Sequence, residues 1–273
     1  MGGEELPGVS RTAVWVAGMR AAESERADRL FDDRLAAAFV SAAGGGIVPQ
    51  TAGPPGTSEF LAVRARFFDD QARAACGAGI RQIVLPAAGL DCRAFRLDWP
   101  SGVRLFELDL PEMFAFKEPV LASVEAVARC VRVVVAVDLR GQWAQPLIDA
   151  GFDPGAPTAW LAEGLLPYLQ RADGERLLAT VTELSAPGSR AVFDHLETTA
   201  AERPGMRAVS EVVRQVGAQL MPTADSPADW LTGHGWQARL FRLPALAEEY
   251  GRSLPADVDL VASNAVVVIT ADR

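Results

Sequence analysis

From residue 80 onward, short runs of aliphatic and β-branched residues alternate with longer stretches of helical periodicity. The short runs fall at 80–86, 103–108, 131–137, 158–163, 189–194, 236–242 and 264–270, and each has the length and composition of a strand. Between them, apolar residues recur at helical spacing near 91–97, 111–127, 142–150, 171–185, 204–220 and 226–233. Two parallel strands cannot be joined by a tight turn and need a crossover, usually a helix. Regular alternation of the two therefore predicts an α/β domain with a seven-stranded, mainly parallel sheet.

The first 78 residues follow a different pattern. "RTAVWVAGMRAAES" and "TSEFLAVRARFFDDQARAA" read as helices, and "SAAGGGIVPQTAGPPG" between them reads as a loop. Residues 1–78 are thus expected to form a helical cap on a domain spanning 79–273. The 196–235 stretch is too long for a simple connection and is expected to be an inserted helical lid. A chain of 273 residues can bury a substantial core on this plan. Its net charge of −9 argues against a phosphate-neutralising surface, so nucleic acid is not an expected partner. No apolar run reaches the ~18 residues of a membrane span, and "MGGEELPGVS" lacks the apolar core of a secretory signal. A cytoplasmic protein with no membrane partner is expected. Three scattered cysteines and two histidines supply no metal-ligand spacing, so no metal is expected.

The chemistry is expected at the strand ends. In an open α/β sheet, ligands sit beyond the carboxyl ends of the strands. The first strand ends in Pro86, Ala87, Ala88 and Gly89, small residues that let a ligand approach the backbone. The dinucleotide pattern G-x-G-x-x-G is absent, which disfavours a nicotinamide cofactor and points to an adenosine-type ligand without phosphates. The second strand delivers Glu107 and Asp109, and Asp109 stands nearer its carboxyl end, where a carboxylate can accept hydrogen bonds from a ribose diol. The third delivers Asp138 and Leu139, whose side chain and backbone amide can read an adenine edge. The fourth carries Glu163 inside an apolar run, where a carboxylate needs a partner.

Six segments, "SRTAVWVAGMRAAES", "FLAVRARFFDD", "IVLPAAGLDCRAFRL", "FELDLPEMFAFK", "VDLRGQW" and "AEGLLPYL", together resemble the leucine carboxyl methyltransferase family over residues 10 to about 195. That family comprises class I, S-adenosylmethionine-dependent O-methyltransferases, including protein carboxyl methyltransferases and polyketide tailoring enzymes of the tetracenomycin type. The resemblance implies a Rossmann-like sheet with its last strand antiparallel, and S-adenosylmethionine as cofactor. It places Ala87 and Gly89 at the backbone turn beside the cofactor, Asp109 at the ribose, Asp138 and Leu139 at the adenine, and Glu163 at the cofactor site. Arg66 matches the arginine that holds the methionine carboxylate. Helical spacing leaves Arg64 open for that task, since it shares a face with Phe60, Phe67 and Phe68, and Arg11 is a further candidate. One departure stands out: the family's G-A-G-L-D turn has Ala87 in place of its first glycine, which raises the alternative of a cofactor-binding protein with lost or altered, non-methylating chemistry.

A carboxylate acceptor is already ionised at neutral pH, whereas a phenol gains from a general base. His195, on the end of the fifth strand, is the expected catalytic base, and His234 between two glycines reads as a turn residue. Val209, Val212, Val213, Val216 and Leu220 recur at helical spacing in the lid, a pattern that ordinarily marks core packing; if part of the stripe faces the cleft, it suits a small, apolar, planar acceptor of polyketide type.

Overall fold

A computed structural model of the protein describes residues 8–44, 54–196, 201–215, 217–221, 227–254 and 266–273. Seven strands form one sheet: β1 (Gln82–Pro86), β2 (Arg104–Asp109), β3 (Val131–Ala136), β4 (Thr158–Ala162), β5 (Arg190–Leu196), β6 (Gln237–Arg242) and β7 (Val266–Asp272). Their order is β3-β2-β1-β4-β5-β7-β6. The first five pair in parallel, while β7 runs antiparallel to both β5 and β6. Parallel pairing is therefore confined to five of the seven strands, and the last strand is antiparallel as the resemblance implies. The strand order reverses between β1 and β4, and that reversal opens a crevice at the carboxyl edge.

Side-chain alternation divides the core into two layers. On β1, Ile83 and Leu85 join one apolar cluster with Phe67, Phe68 and Ala72, whereas Val84 joins another with Phe106 and Trp160. Helix α3 (Thr57–Gly77) packs on the first face. On the second lie α6 (Ala144–Asp149) and α7 (Arg171–Glu183), through Leu147, Leu177 and Val181. Helices on both faces leave every residue of β1 and β4 buried. The edge strands β3 and β6 are more exposed, as their half-covered positions require.

Further helices complete the fold around the sheet. Helix α1 (Gly8–Ser24) packs against α2 (Arg34–Ala42) and α3, and a four-residue helix α4 (Arg93–Arg96) follows the β1 turn. Helix α5 (Pro111–Ser123) follows β2 and sets Lys117 2.8 Å from Glu107, both fully buried. That ion pair engages Glu107 in the core, away from the cavity, and leaves Asp109 as the carboxylate of β2 at the edge. Helix α8 (Pro204–Gln215) lies in the 196–235 segment, followed by α9 (Pro227–Gly233); Val216 of the expected lid stripe lies outside the described residues. Helix α10 (Leu243–Glu249) follows β6 directly, where no helix is expected from the sequence.

Glu23, at the end of α1, is clasped by Arg252 at 2.6 and 3.0 Å, and both side chains are about 5% exposed or less. Arg252 also donates to the carbonyl of Asp28 at 3.0 Å. Among the described residues, no helix is long and apolar enough to cross a membrane, and no group of three potential ligands gathers for a metal ion.

Candidate active site

A cavity of about 480 Å³ lies over the crevice between β1 and β4. This volume suits a small organic ligand. Its floor is the turn that ends β1. Ala87 has φ 55° and Gly89 has φ 49°, both in the left-handed region. Ala87 thus holds a left-handed conformation that ordinarily favours glycine, at a steric cost of about 1–2 kcal/mol. The methyl group does not unmake the turn. A Cβ at Gly89 would meet Ala13 of α1 at 3.7 Å, an ordinary contact, so the left-handed φ rather than lack of space is what favours glycine there.

Asp109 fixes the turn from the neighbouring strand. Its carboxylate accepts the Gly89 amide at 2.6 Å and the Leu110 amide at 2.7 Å. Burial raises its pKa above the ordinary aspartate value, and these two amides oppose that rise. The remaining lone pairs are available to a hydroxyl-bearing ligand.

An ion network spans the crevice. Arg64, from α3, donates to Glu163 at 3.1 Å and to Asp194 at 2.8 Å. Arg93, from α4, donates to Glu163 at 2.7 Å and to Asp69 at 2.7 Å, and it also pairs with Asp91. Asp194 receives the Gly164 amide at 2.6 Å as well. Burial pushes Glu163 and Asp91 upward, but the flanking arginines outweigh it and hold both carboxyls below their usual values. Asp194 has one arginine, and there burial wins and its pKa is raised. Burial also pushes the Tyr168 phenol up to about 12, so it stays protonated.

The cavity has a polar end and an apolar end. Beyond Arg64 the lining turns to Trp15 and Val16 of α1, Phe60 and Leu61 of α3, and Val209 and Val213 of α8. Trp15, Leu61 and Val213 belong to one buried cluster.

The structure gathers Ala87, Gly89, Asp109 and Glu163 on the cavity wall. It does not gather the other expected residues. Arg66 lies outside the lining; it pairs with Asp70 at 2.9 Å, donates to the Leu30 carbonyl and stacks over Tyr250. Two positions along a helix turn a side chain by roughly 200°, so the residue that reaches the cavity is Arg64. Asp138 and Leu139 share the carboxyl edge with Asp109, whose carbonyl accepts the Val137 amide at 2.8 Å. They do not line the cavity, and Asp138 is turned to its own Arg140 at 2.7 Å. His195 is fully buried and off the cavity, whereas its neighbours Asp194 and Leu196 line it. Successive strand residues face opposite ways, so a catalytic base at His195 is not supported. His234 closes a helix turn, its Nδ1 2.8 Å from the Trp230 carbonyl. Asp69, Asp91, Arg93, Tyr168 and Asp194 are site residues that motif reading does not single out.

The donor set fits S-adenosylmethionine. Four lining carboxylates (Asp91, Asp109, Glu163 and Asp194) face three lining arginines (Arg20, Arg64 and Arg93), a surplus of negative charge that suits a sulfonium and an ammonium. Arg64 offers a guanidinium for a carboxylate, and Asp109 beside a bare turn suits a ribose.

Comparison with known proteins agrees. The model of the family described as leucine carboxyl methyltransferase matches residues 13–182. A protein of Parafrankia sp. (strain EAN1pec), provisionally named an S-adenosyl-L-methionine-dependent methyltransferase, is 49% identical over 92% of this chain and 84% of its own. A Streptomyces coelicolor protein with the same provisional name is 44% identical over 90% and 89%. Among solved structures, a protein from Thermobifida fusca provisionally named a methyltransferase superposes with a TM-score of 0.63, 16% identity, and coverage of 98% of this chain and 95% of that one. The magnesium protoporphyrin IX methyltransferase of Synechocystis, solved with bound S-adenosylhomocysteine, gives 0.51 at 11% identity over 87% and 93%. Those two likenesses show the methyltransferase fold. The chain belongs to the leucine carboxyl methyltransferase family and is an S-adenosylmethionine-dependent methyltransferase.

Proposed function

We propose that the protein methylates an oxygen atom, carboxyl or hydroxyl, of a small apolar metabolite of aromatic polyketide type. The observation that carries this reading is the two-ended cavity: a charged end that fits the cofactor runs into a chamber walled by Trp15, Phe60, Leu61, Val209 and Val213.

When bound, S-adenosylmethionine supplies an electrophilic methyl group on a sulfonium. The chain's own residues supply position and a dry environment, which account for much of the acceleration of such transfers. Asp109 holds the turn and accepts the ribose hydroxyls, and Gly89 leaves room for the ribose. Arg64, on the wall between Glu163 and Asp194, holds the methionine carboxylate. Glu163 and Asp194 place negative charge around the cationic part of the ligand. Among the described residues, α1, α3 and α8 close the chamber over the acceptor.

The left-handed φ of Ala87 keeps the turn in a glycine-like form, which supports cofactor binding. The test is twofold. Calorimetry should show binding of S-adenosylmethionine and S-adenosylhomocysteine but not of NAD. Labelled methyl from the cofactor should then appear in apolar aromatic acceptors as a base-stable ether or a base-labile ester. Cofactor binding with label appearing only on nitrogen or carbon would refute the oxygen assignment.

A further inference from the structure

Exposed apolar surface is concentrated at one edge of the sheet. Among the described residues, five large hydrophobic side chains stand exposed, and four of them fall within residues 124–134. These are Val124 (43%) and Val127 (80%), which follow α5, and Val131 (56%) and Val134 (38%) on the edge strand β3. The fifth, Leu240, lies on β6 at the far edge. Neighbouring exposed apolar residues of this kind mark interaction sites.

The backbone of β3 gives that surface a direction. Val131 donates to the Val103 carbonyl at 3.1 Å and Val137 to the Asp109 carbonyl at 2.8 Å, so odd-numbered residues face β2. With a period of two, Arg132, Val134 and Ala136 turn their N–H and C=O outward, where β3 ends the sheet. Edge strands ordinarily carry a lysine, a proline or a bulge that prevents pairing with another chain. β3 has none of these, and it registers with β2 over six consecutive residues. Its one charge, Arg132, is tied to Glu107 at 2.7 Å and Glu118 at 2.6 Å. The opposite edge, β6, carries Arg239 and Arg242.

Charge decides what can cover this edge. Antiparallel pairing with a second copy, about a twofold axis at Val134, sets Arg132 opposite Ala136 of the other copy. No like charges then face each other along the ladder. At either end Arg129 of one copy comes beside Asp138 of the other, and these side chains are 52% and 43% exposed. Pairing with β6 of a second copy would instead bring Arg132, Arg239 and Arg242 to one short ladder. It would also leave an edge free on each molecule, which builds an open chain rather than a closed pair.

We propose that β3 is a dimerisation edge, pairing antiparallel with β3 of a second copy of this chain around Val134. The two sheets become one, and the isologous contact closes the assembly. Antiparallel strands reverse the direction of the sheet, so the two cavities open on opposite edges and each keeps its own access.

Sedimentation velocity from about 1 μM to 1 mM should show a monomer–dimer equilibrium, the range that suits a small interface. Hydrogen exchange on dilute and concentrated protein should then show the Arg132, Val134 and Ala136 amides slowed severalfold on concentration. The Val133 and Val135 amides, which face β2, should not change. Val134→Lys and Val134→Glu each set like charges across the axis and should weaken the dimer at least tenfold. Mixed in equal amounts, the two variants should dimerise at least as well as the parent, because opposite charges then meet at the axis. Should either variant fail to fold, the exchange pattern of the parent decides.

A parent that stays monomeric at about 1 mM overturns the proposal. So do species that grow beyond the dimer, a dimer undiminished in both single variants, or a dimer in which those three outward amides are not slowed.

Discussion

Replacing Arg64 by methionine tests the ion network at its weakest link. The thioether keeps the length of the side chain and removes the charge. Glu163 retains Arg93 at 2.7 Å, but Asp194 loses its one arginine and keeps the Gly164 amide at 2.6 Å. Breaking a buried pair from one side ordinarily costs about 3–5 kcal/mol. Asp194 has a way to limit that cost, because it can take up a proton. Its pKa is already raised by burial in the intact protein, and losing Arg64 raises it further. An aspartate whose folded pKa exceeds its unfolded value opposes folding at every pH above the folded pKa. The opposition fades as the pH falls through the folded pKa toward the unfolded one. With an unfolded pKa of about 3.9, the penalty at pH 7 cannot exceed about 4 kcal/mol, and at pH 5 it cannot exceed about 1.5 kcal/mol. Urea denaturation followed by circular dichroism at the two pH values measures the difference. Arg64→Met should be about 2–4 kcal/mol less stable than the parent at pH 7, with a clearly smaller deficit at pH 5. Adding Asp194→Asn should restore most of the loss at pH 7. A deficit equal at both pH values, or a double variant no better than the single, would refute the assignment of the cost to an ionised Asp194.

Other substitutions separate the site from its surroundings. Arg66→Ala should leave S-adenosylmethionine affinity unchanged by calorimetry and cost no more than about 1 kcal/mol in stability, since its pairing with Asp70 lies on the surface. Asp109→Ala should weaken the cofactor by roughly 1–3 kcal/mol, because both the ribose acceptor and the tie to Gly89 are lost. In the parent protein the same affinity should decline on acidification from a pH above the ordinary aspartate range, since burial raises the Asp109 pKa and protonation removes the charged acceptor. His195→Ala should lower stability by about 1–3 kcal/mol as a buried truncation, yet leave the pH profile of turnover unchanged.

Much of the architecture is legible in the chain because it is local. All seven strands appear within two or three residues of the expected positions, since each is a short apolar run bounded by helical spacing. Helix α10 is missed because "LPALAEE" follows β6 without a loop, although Pro244 at its first turn is a helix-start signal. The side-chain choices depend on information the chain does not display. β5 is buried almost throughout, so no polar–apolar alternation tells which parity faces the cavity, and Asp194 and His195 cannot be ranked by pattern. α3 is likewise buried on most sides, so the face of Arg64 and that of Arg66 look alike in sequence. The partnership of Arg64 with Glu163 and Asp194 joins residues 99 and 130 positions apart, and no spacing rule reaches that far.

The clasp between Glu23 and Arg252 has a consequence for how the protein is made. A ribosome that has just released β1 through β5 has already supplied most of the groups that face the cofactor, yet the partner of Glu23 is still to be synthesised. Until Arg252 emerges, docking α1 would bury the Glu23 carboxylate with the Leu30 amide at 2.7 Å and the partly exposed Arg26 at 3.6 Å but without its closest guanidinium, at an energetic cost. The helix that brings Trp15 to the acceptor chamber therefore settles last, although its residues are translated first. Nascent chains stalled short of residue 252 should carry an open chamber, and their α1 should be cut by protease where the finished protein resists.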